Sequence, residues 1–481
     1  MSQNFSLEKR LYDSHKNYLE STLKVRRIKH ADILLLINKI ETNKNFTVSK
    51  IGASEQNRDI YLVKIGHGKT KVFLWSQMHG DEPTATMALF DIFNFFSASD
   101  EFDAVKKEIL DSVTIYFIPM VNPDGAEAFQ RRNFFHIDIN RDYLAQQSAE
   151  GRMLKSVFDS IKPDFGFNLH DQGSRYSVGR SPKTAAISLL APAFNQQNEV
   201  NPVRERAIKL IGYLTNVLSV YVPGHISKYD DEFEPRAFGD NFQKSGASTV
   251  LIESGGWTGD PEKQYLRRLN FVAILSAINA IAKQLYAEVS PSVYADIPFN
   301  NHYIYDLLIR NLTIKKDGKE AKVDIAVNRH EVNTSDSKSF FYRSVIEDVG
   351  DTLGFYGAEE YDLNGLEVTP GKVYPREFDS LQQLAALNFE ELYAGGYLFV
   401  KVKNLDTTGI GRKYSPYPIN IITDSFENEY TNSIEPEEPA NFVVYERAKV
   451  KFACVNGFLF DLQTRKQKIL NGSIIFKKFD K

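Results

Sequence analysis

The sequence predicts an α/β fold, a sheet covered by helices, followed by a separate β-rich domain. Three observations predict it. Short apolar runs alternate with longer amphipathic runs through about residue 285, the pattern of strands interleaved with helices. Near Ser290 that texture gives way to short strand-like runs with frequent turns. The chain has 481 residues, more than one average domain of roughly 100–200 residues requires. The boundary is therefore drawn between residues 1–289 and 290–481.

In the first part, strands are expected at 60–65, 72–76, 113–118, 165–169, 187–190 and 249–252, runs rich in Val, Ile and Phe and bounded by Gly, Pro or Asn. Helices are expected at 31–40, 84–96, 150–161, 203–220 and 263–285. In 150–161 the apolar side chains Met153, Leu154, Val157, Phe158 and Ile161 share one helical face. In the second part, strands are expected at 323–327, 397–402, 419–422, 442–445 and 473–476. The acidic, proline-containing stretch 424–440 reads as a solvated loop. This part is expected to be a β module for folding, pairing or substrate gating.

Hydrophobic residues make up 42% and charged residues 25%, ordinary globular usage. A net charge of −4, from 58 basic and 62 acidic residues, provides no basic field for nucleic acid or anionic lipid. No stretch reaches the roughly 18 apolar residues of a membrane span, and the N-terminal residues lack the apolar run of a signal peptide. A cytoplasmic protein is expected. The single cysteine, Cys454, excludes an intrachain disulfide and a thiolate zinc site, so any zinc must use His and carboxylates. Nothing in the sequence sets an oligomeric state.

Four segments carry candidate chemistry. Trp75-Ser-Gln-Met-His79-Gly-Asp-Glu82-Pro83 follows an apolar strand and precedes an amphipathic helix, a position where α/β folds place their sites. Pro83 and the acidic pair before it suit the first turn of that helix. His79 and Glu82, three apart, are either a chance surface pair or two ligands of an open zinc site. His170, ending 165–169, is either a strand-edge histidine bonded to backbone or a third ligand. The second reading requires its strand to neighbour the one ending near His79.

The third segment is Asn122-Pro-Asp-Gly125, followed by Arg131-Arg132-Asn133 and Asp138-Ile-Asn140-Arg141-Asp142. Asn-Pro-Asp-Gly is strong turn chemistry. A guanidinium can grip a carboxylate through two hydrogen bonds or face a developing oxyanion; the alternative is a surface ion pair, preferred for Arg132. The fourth is Thr249-Val-Leu-Ile-Glu253-Ser-Gly-Gly, in which Glu253 is either a strand-end cap or a base beside a zinc-activated water. His67, His136 and His225 read as loop residues, and His15, His30, His302 and His330 lie outside these segments.

The ordered set resembles that of the M14 metallocarboxypeptidases, the family that includes pancreatic carboxypeptidase A, over roughly residues 50–285. The resemblance implies a central mixed sheet covered by helices and one Zn2+ per chain, held by His79, Glu82 and His170. It implies Glu253 as general base and then acid, Arg131 as the group polarising the scissile carbonyl, and Asn140 with Arg141 as the holders of a terminal carboxylate. Asp138 matches the aspartate that hydrogen-bonds the first zinc histidine. Tyr229 is the candidate nearest the family's mobile tyrosine. The expected partner is a peptide or peptide-like substrate with a free C-terminal carboxylate, which would lose its last residue. An amidase or deacylase acting on cell-wall peptides or N-acyl amino acids, and a non-catalytic peptide-binding protein, are the competing readings. Asp142 and Asp171 are expected to add negative charge near the cleft and to disfavour acidic substrates.

Overall fold

The computed structural model describes residues 6–403, 405, 414–423, 432–466 and 468–475. It divides into two compact units, Met1–His302 and Tyr303–Lys481. The division falls after the expected residue 290 because the intervening segment packs into the first unit. Tyr294 and Ile297 are buried in its core, and Asn300–Asn301 pairs with Ser177–Val178.

In the first unit the strands are β1 (Phe46–Ala53), β2 (Asp59–Gly66), β3 (Thr70–Ser76), β4 (Val113–Ile118), β5 (Phe165–Asp171), β6 (Ser177–Val178), β7 (Ile187–Leu190), β8 (Ile226–Lys228) and β9 (Ser248–Ser254). The helices are α1 (Leu7–Ser14), α2 (His30–Glu41), α3 (Thr84–Ser97), α4 (Asp103–Ser112), α5 (Pro123–Ala128), α6 (Ala149–Ile161), α7 (Pro202–Leu218), α8 (Phe238–Lys244), α9 (Gln264–Lys283) and α10 (Pro291–Ala295). One mixed sheet runs in the order β1-β2-β4-β3-β5-β9-β7-β8, with β4, β3, β5 and β9 mutually parallel and the pairs β1/β2, β2/β4 and β9/β7 antiparallel.

Alternation along the central strands sends side chains to two cores. Val72 and Leu74 of β3, Phe165, Phe167 and Leu169 of β5 and Val250 and Ile252 of β9 pack with α3, α7 and α9. Phe73 and Trp75 face the other way, toward Phe158 of α6 and Phe238 and Phe242 of α8. Helices therefore cover both faces, and α3, expected to be amphipathic, is instead buried nearly all round, its Asp91 satisfied by the Arg267 guanidinium. Pro83 stands at the N-cap position of α3, one place before the expected first turn, so Asp81 and Glu82 lie in the loop that precedes the helix.

The second unit is β-rich. One sheet joins Phe340–Gly350, Lys319–Asn333, Ile304–Lys316, Glu367–Pro370, Phe442–Glu446, Lys449–Val455 and Phe458–Asp461 in that order, with Tyr356–Asp362 also pairing with Ile304–Lys316. A five-stranded sheet joins Lys372–Phe378, Tyr397–Val402, Asn420–Thr423, Gly472–Ile475 and Tyr414–Ser415. Of the expected loop 424–440, residues 424–431 lie outside the described residues, as does Phe476 of the last expected strand. The described remainder is not wholly solvated: Ile434 and Ala440 are buried in the core of the first of these sheets. Cys454 is buried and unpaired. Among the described residues no helix is long and apolar enough to cross a membrane.

Candidate metal centre

The register of the parallel strands assembles the site. β3 pairs with β5 through Ser76↔Leu169, so the loop after β3 and the end of β5 emerge on one rim. β5 pairs with β9 through His170↔Glu253, and both side chains leave the face opposite Leu169 and Ile252, toward α8. His79 follows three residues after β3 ends. Its loop is held in an unusual backbone: Gln77 is left-handed at φ 51°, a conformation costly for a non-glycine residue, and its Nε2 donates to the Gly80 carbonyl at 2.9 Å.

Asn122-Pro-Asp-Gly is a brace for this loop as well as a turn. Asn122 caps α5 by accepting from the Gly125 amide at 2.8 Å, and its Nδ2 donates to the carbonyls of Met78 (3.2 Å) and Arg131 (3.4 Å). The His79 and Arg131 segments thus share one clamp. Gly80 is required at the crossing, because a Cβ there would lie 1.9 Å from the Gly125 carbonyl carbon. Asp124 is buried and accepts from Ser54, the Gln56 amide and Arg58, a structural role.

His79, Glu82 and His170 each offer a ligand atom, all within 4.8 Å of one another. His79 Nδ1 lies 2.8 Å from Glu82 Oε1, His170 Nδ1 lies 2.7 Å from Glu82 Oε2, and the two ring nitrogens are 3.1 Å apart. Donors of a tetrahedral zinc, each roughly 2.0–2.1 Å from the metal, are about 3.3 Å apart, so this set fits that ion with little adjustment. The tautomer fits as well. Asp138 Oδ1 accepts from His79 Nε2–H at 3.2 Å, which leaves the Nδ1 lone pair turned toward Glu82 and His170.

Electrostatics give the same result. Burial works against a charged His79, but Glu82 and Asp138 outweigh it and raise its pKa to about 9. Burial likewise opposes ionisation of Glu82 and Asp138, yet the imidazoles, and for Asp138 also Arg131, hold both carboxyls well below their usual range. His170 is lowered by burial, which exceeds the pull of Glu82. A buried nest of carboxylates that demands a cation accepts either a proton or a metal.

Glu253, 8% exposed, is raised well above the carboxylate range by burial and then by the charge of Glu82. Tyr229 is raised by burial and next by the charge of Glu253, as is Tyr176, so two phenols accompany this carboxylate. Arg131 spans the site: its Nε and Nη2 donate to Asp138 Oδ2 at 3.0 and 2.9 Å, and Nη1 approaches His79 Nδ1 at 3.1 Å and Glu82 Oε1 at 3.5 Å. Arg132 is exposed and donates to the His136 carbonyl at 2.9 Å. Asn140 Oδ1 accepts from the Phe238 amide at 3.0 Å, and Arg141 is partly exposed, with its Nε 3.2 Å from Glu234 Oε2.

Asp142 and Asp171 are engaged by partners of their own, although the charge of Asp171 still reaches Glu253 and helps raise it, after burial and the charge of Glu82. Asp142 is buried and accepts from the amides of Gln147 and Ser148 and from the Ser148 hydroxyl. Asp171 points to the face opposite His170, where its Oδ2 accepts from Thr84 Oγ1 at 2.6 Å and lies 3.4 Å from the ammonium of Lys263. Lys263 also donates to the carbonyls of Gln172 and Ser254, tying the ends of β5 and β9 together. The sequence reading missed it, since a lysine before α9 carries no local signal of burial. Of the other histidines, His15 is buried against Asp91 and His225 is 2.7 Å from the Thr184 carbonyl.

Residues 34–183 match the sequence model of the zinc carboxypeptidase family M14, a stretch that takes in His79, Glu82, Arg131, Asp138, Asn140, Arg141 and His170. Carboxypeptidase 2 of Trichophyton tonsurans is 25% identical over 165 residues, 34% of this chain and 29% of the relative. Carboxypeptidase M of Mus musculus is 28% identical over 109 residues, 19% of this chain and 25% of the relative. This chain thus spans less than a third of the length of these curated relatives. Among solved structures, carboxypeptidase A of Helicoverpa armigera covers 59% of this chain and 80% of its own at 12% identity and TM-score 0.45. Within its first unit, this chain is thus similar to the M14 family of zinc carboxypeptidases over residues 34–183.

Proposed function

We propose that this chain is a zinc-dependent carboxypeptidase that hydrolyses the last peptide bond of a peptide and releases its C-terminal residue. The observation that carries the reading is the convergence of His79 Nδ1, His170 Nδ1 and the Glu82 carboxylate on one point, with Glu253 on the neighbouring strand. When bound, zinc supplies Lewis-acid polarisation of the scissile carbonyl and acidifies the attacking water.

The chain's own groups do the rest. Glu253 takes a proton from the attacking water and returns one to the departing amine; its burial, which raises its proton affinity, suits both transfers. Arg131, braced by Asp138, donates hydrogen bonds to the oxygen that gains charge as the carbonyl becomes tetrahedral. Asp138 fixes the His79 ring so that Nδ1 faces the metal position. Arg141 and the Nδ2 of Asn140 hold the terminal carboxylate, which limits cleavage to the chain end.

A mixture of peptides with free and with amidated C-termini, incubated with the zinc-loaded protein and read by mass spectrometry, tests this. Loss of single C-terminal residues from the free peptides alone is expected. Equal cleavage of amidated peptides, or cleavage at internal bonds, would overturn the proposal.

A further inference from the structure

The loop that follows β8 is strapped to the segment bearing Asn140 and Arg141. The Tyr143 amide donates to the Arg236 carbonyl at 3.1 Å, and the Phe238 amide donates to Asn140 Oδ1. Within this frame Glu234 stands between two guanidiniums. Its Oε1 accepts from Arg236 Nε at 3.0 Å and from the Arg236 amide at 3.1 Å; its Oε2 accepts from Arg236 Nη2 at 2.8 Å. Arg141 Nε lies 3.2 Å from the same Oε2, while Arg141 Nη1 donates to the Asn140 carbonyl at 2.8 Å.

The carboxylate is unequally divided. It makes a two-pronged, shorter contact with Arg236 and a single, longer one with Arg141, and both arginines are substantially exposed. Any carboxylate arriving at Arg141 competes with Glu234 for that guanidinium. Arg236, by engaging Glu234 through two nitrogens, weakens the competitor.

We infer that Glu234 and Arg236 are specificity-determining residues: Glu234 occupies Arg141 in place of the substrate's terminal carboxylate, and Arg236 draws Glu234 aside when that carboxylate enters. This rests on the reading of Arg141 given above. A charged chain end replaces the lost contact with a stronger one, while Glu234 keeps Arg236. A neutral amide end has no charge with which to displace Glu234, so rejection is built in by competition as well as by attraction.

The two residues should act with opposite sign, which a purely structural role would not produce. Glu234→Gln should lower KM for a peptide with a free C-terminus by about two- to five-fold, the range of a partly exposed ion pair. Arg236→Ala should raise it by a similar factor, Arg236→Lys less, and the changes should fall on KM rather than kcat. Because Arg236 acts through Glu234, the double variant Glu234→Gln/Arg236→Ala should behave as Glu234→Gln alone. KM shifts of the same sign in both single variants, or none in either, would overturn the inference while wild type still demands a free C-terminus. Wild type cleaving free and amidated peptides alike would instead remove the carboxypeptidase reading, and this inference with it.

Discussion

Gly80 offers a perturbation whose size follows from the structure. A Cβ at this position lies 1.9 Å from the Gly125 carbonyl carbon, 2.3 Å from the Ala126 nitrogen and 2.4 Å from the Gly125 oxygen, all backbone atoms that no rotamer change can move. Reaching ordinary contact requires a shift of about 1.5 Å. The two strands of chain that would part carry His79 on one side and the Asn122 clamp to Met78 and Arg131 on the other. Overpacking of this kind costs roughly 1–3 kcal/mol of stability. A displacement of about 1 Å at reacting groups costs on the order of 100-fold in rate. Gly80→Ala should therefore lose about two orders of magnitude in kcat/KM, with weakened zinc retention. The assay is steady-state hydrolysis at saturating zinc, with urea unfolding alongside. Gly173→Ala is the control, since its Cβ would meet only Tyr176 at 3.6 Å. Near-wild-type turnover and stability for Gly80→Ala would refute the claim that this crossing positions the site.

Other predictions follow from the same geometry. Glu253→Gln should bind zinc as wild type does but lose on the order of 10²–10⁴-fold in kcat; a rate within a few-fold of wild type would remove Glu253 as the proton carrier. Asp138→Asn, which weakens the hold on the His79 ring, should reduce zinc affinity about 10- to 100-fold in a competition titration with a chromophoric chelator, and unchanged affinity would contradict its role. Burial pushes the Asp240 carboxyl up to about 7, from 3.8. The folded state thus holds this proton more tightly than the unfolded chain, so its contribution to stability is present below about pH 4 and is lost as pH rises to about 7. Asp240→Asn should flatten that part of the pH profile in urea unfolding, and an unchanged slope would speak against the shift.

Much of the first unit was legible because its strands are buried on both faces. Continuous apolar runs such as Val113–Ile118 and Ile187–Leu190 announce themselves, and the strands observed there have the expected bounds. β1 was not read: in Phe46–Ala53 only Phe46 is buried, so the edge strand lacks a pattern. The second unit was read only in fragments for a related reason. Lys319–Asn333 is a 15-residue strand, but only Ile325, Ala326 and Val327 are buried, and the polar remainder is held by pairing with its neighbours rather than by burial.

In the candidate site, residues at the ends of apolar strands stood out because a His or Glu closing such a run is conspicuous. The condition that the strand of His170 adjoin the one before His79 is met by the β3/β5 pairing. What could not be read was partnership across long separations. Glu234 meets Arg141 from a loop 93 positions away, and Lys263 meets Asp171 and the end of β9 through a buried ammonium. The partners of Asp142 and Asp171, a run of turn amides and a lysine behind the sheet, were not legible because they leave no local trace.

The most direct measurement is the zinc stoichiometry of the purified protein after dialysis against limiting zinc, by plasma mass spectrometry, for wild type and for His79→Ala and His170→Ala. The account predicts one zinc per wild-type chain and loss of that zinc in each variant, with the fold retained by circular dichroism. Wild type that binds no zinc, or variants that keep a full equivalent, would contradict it.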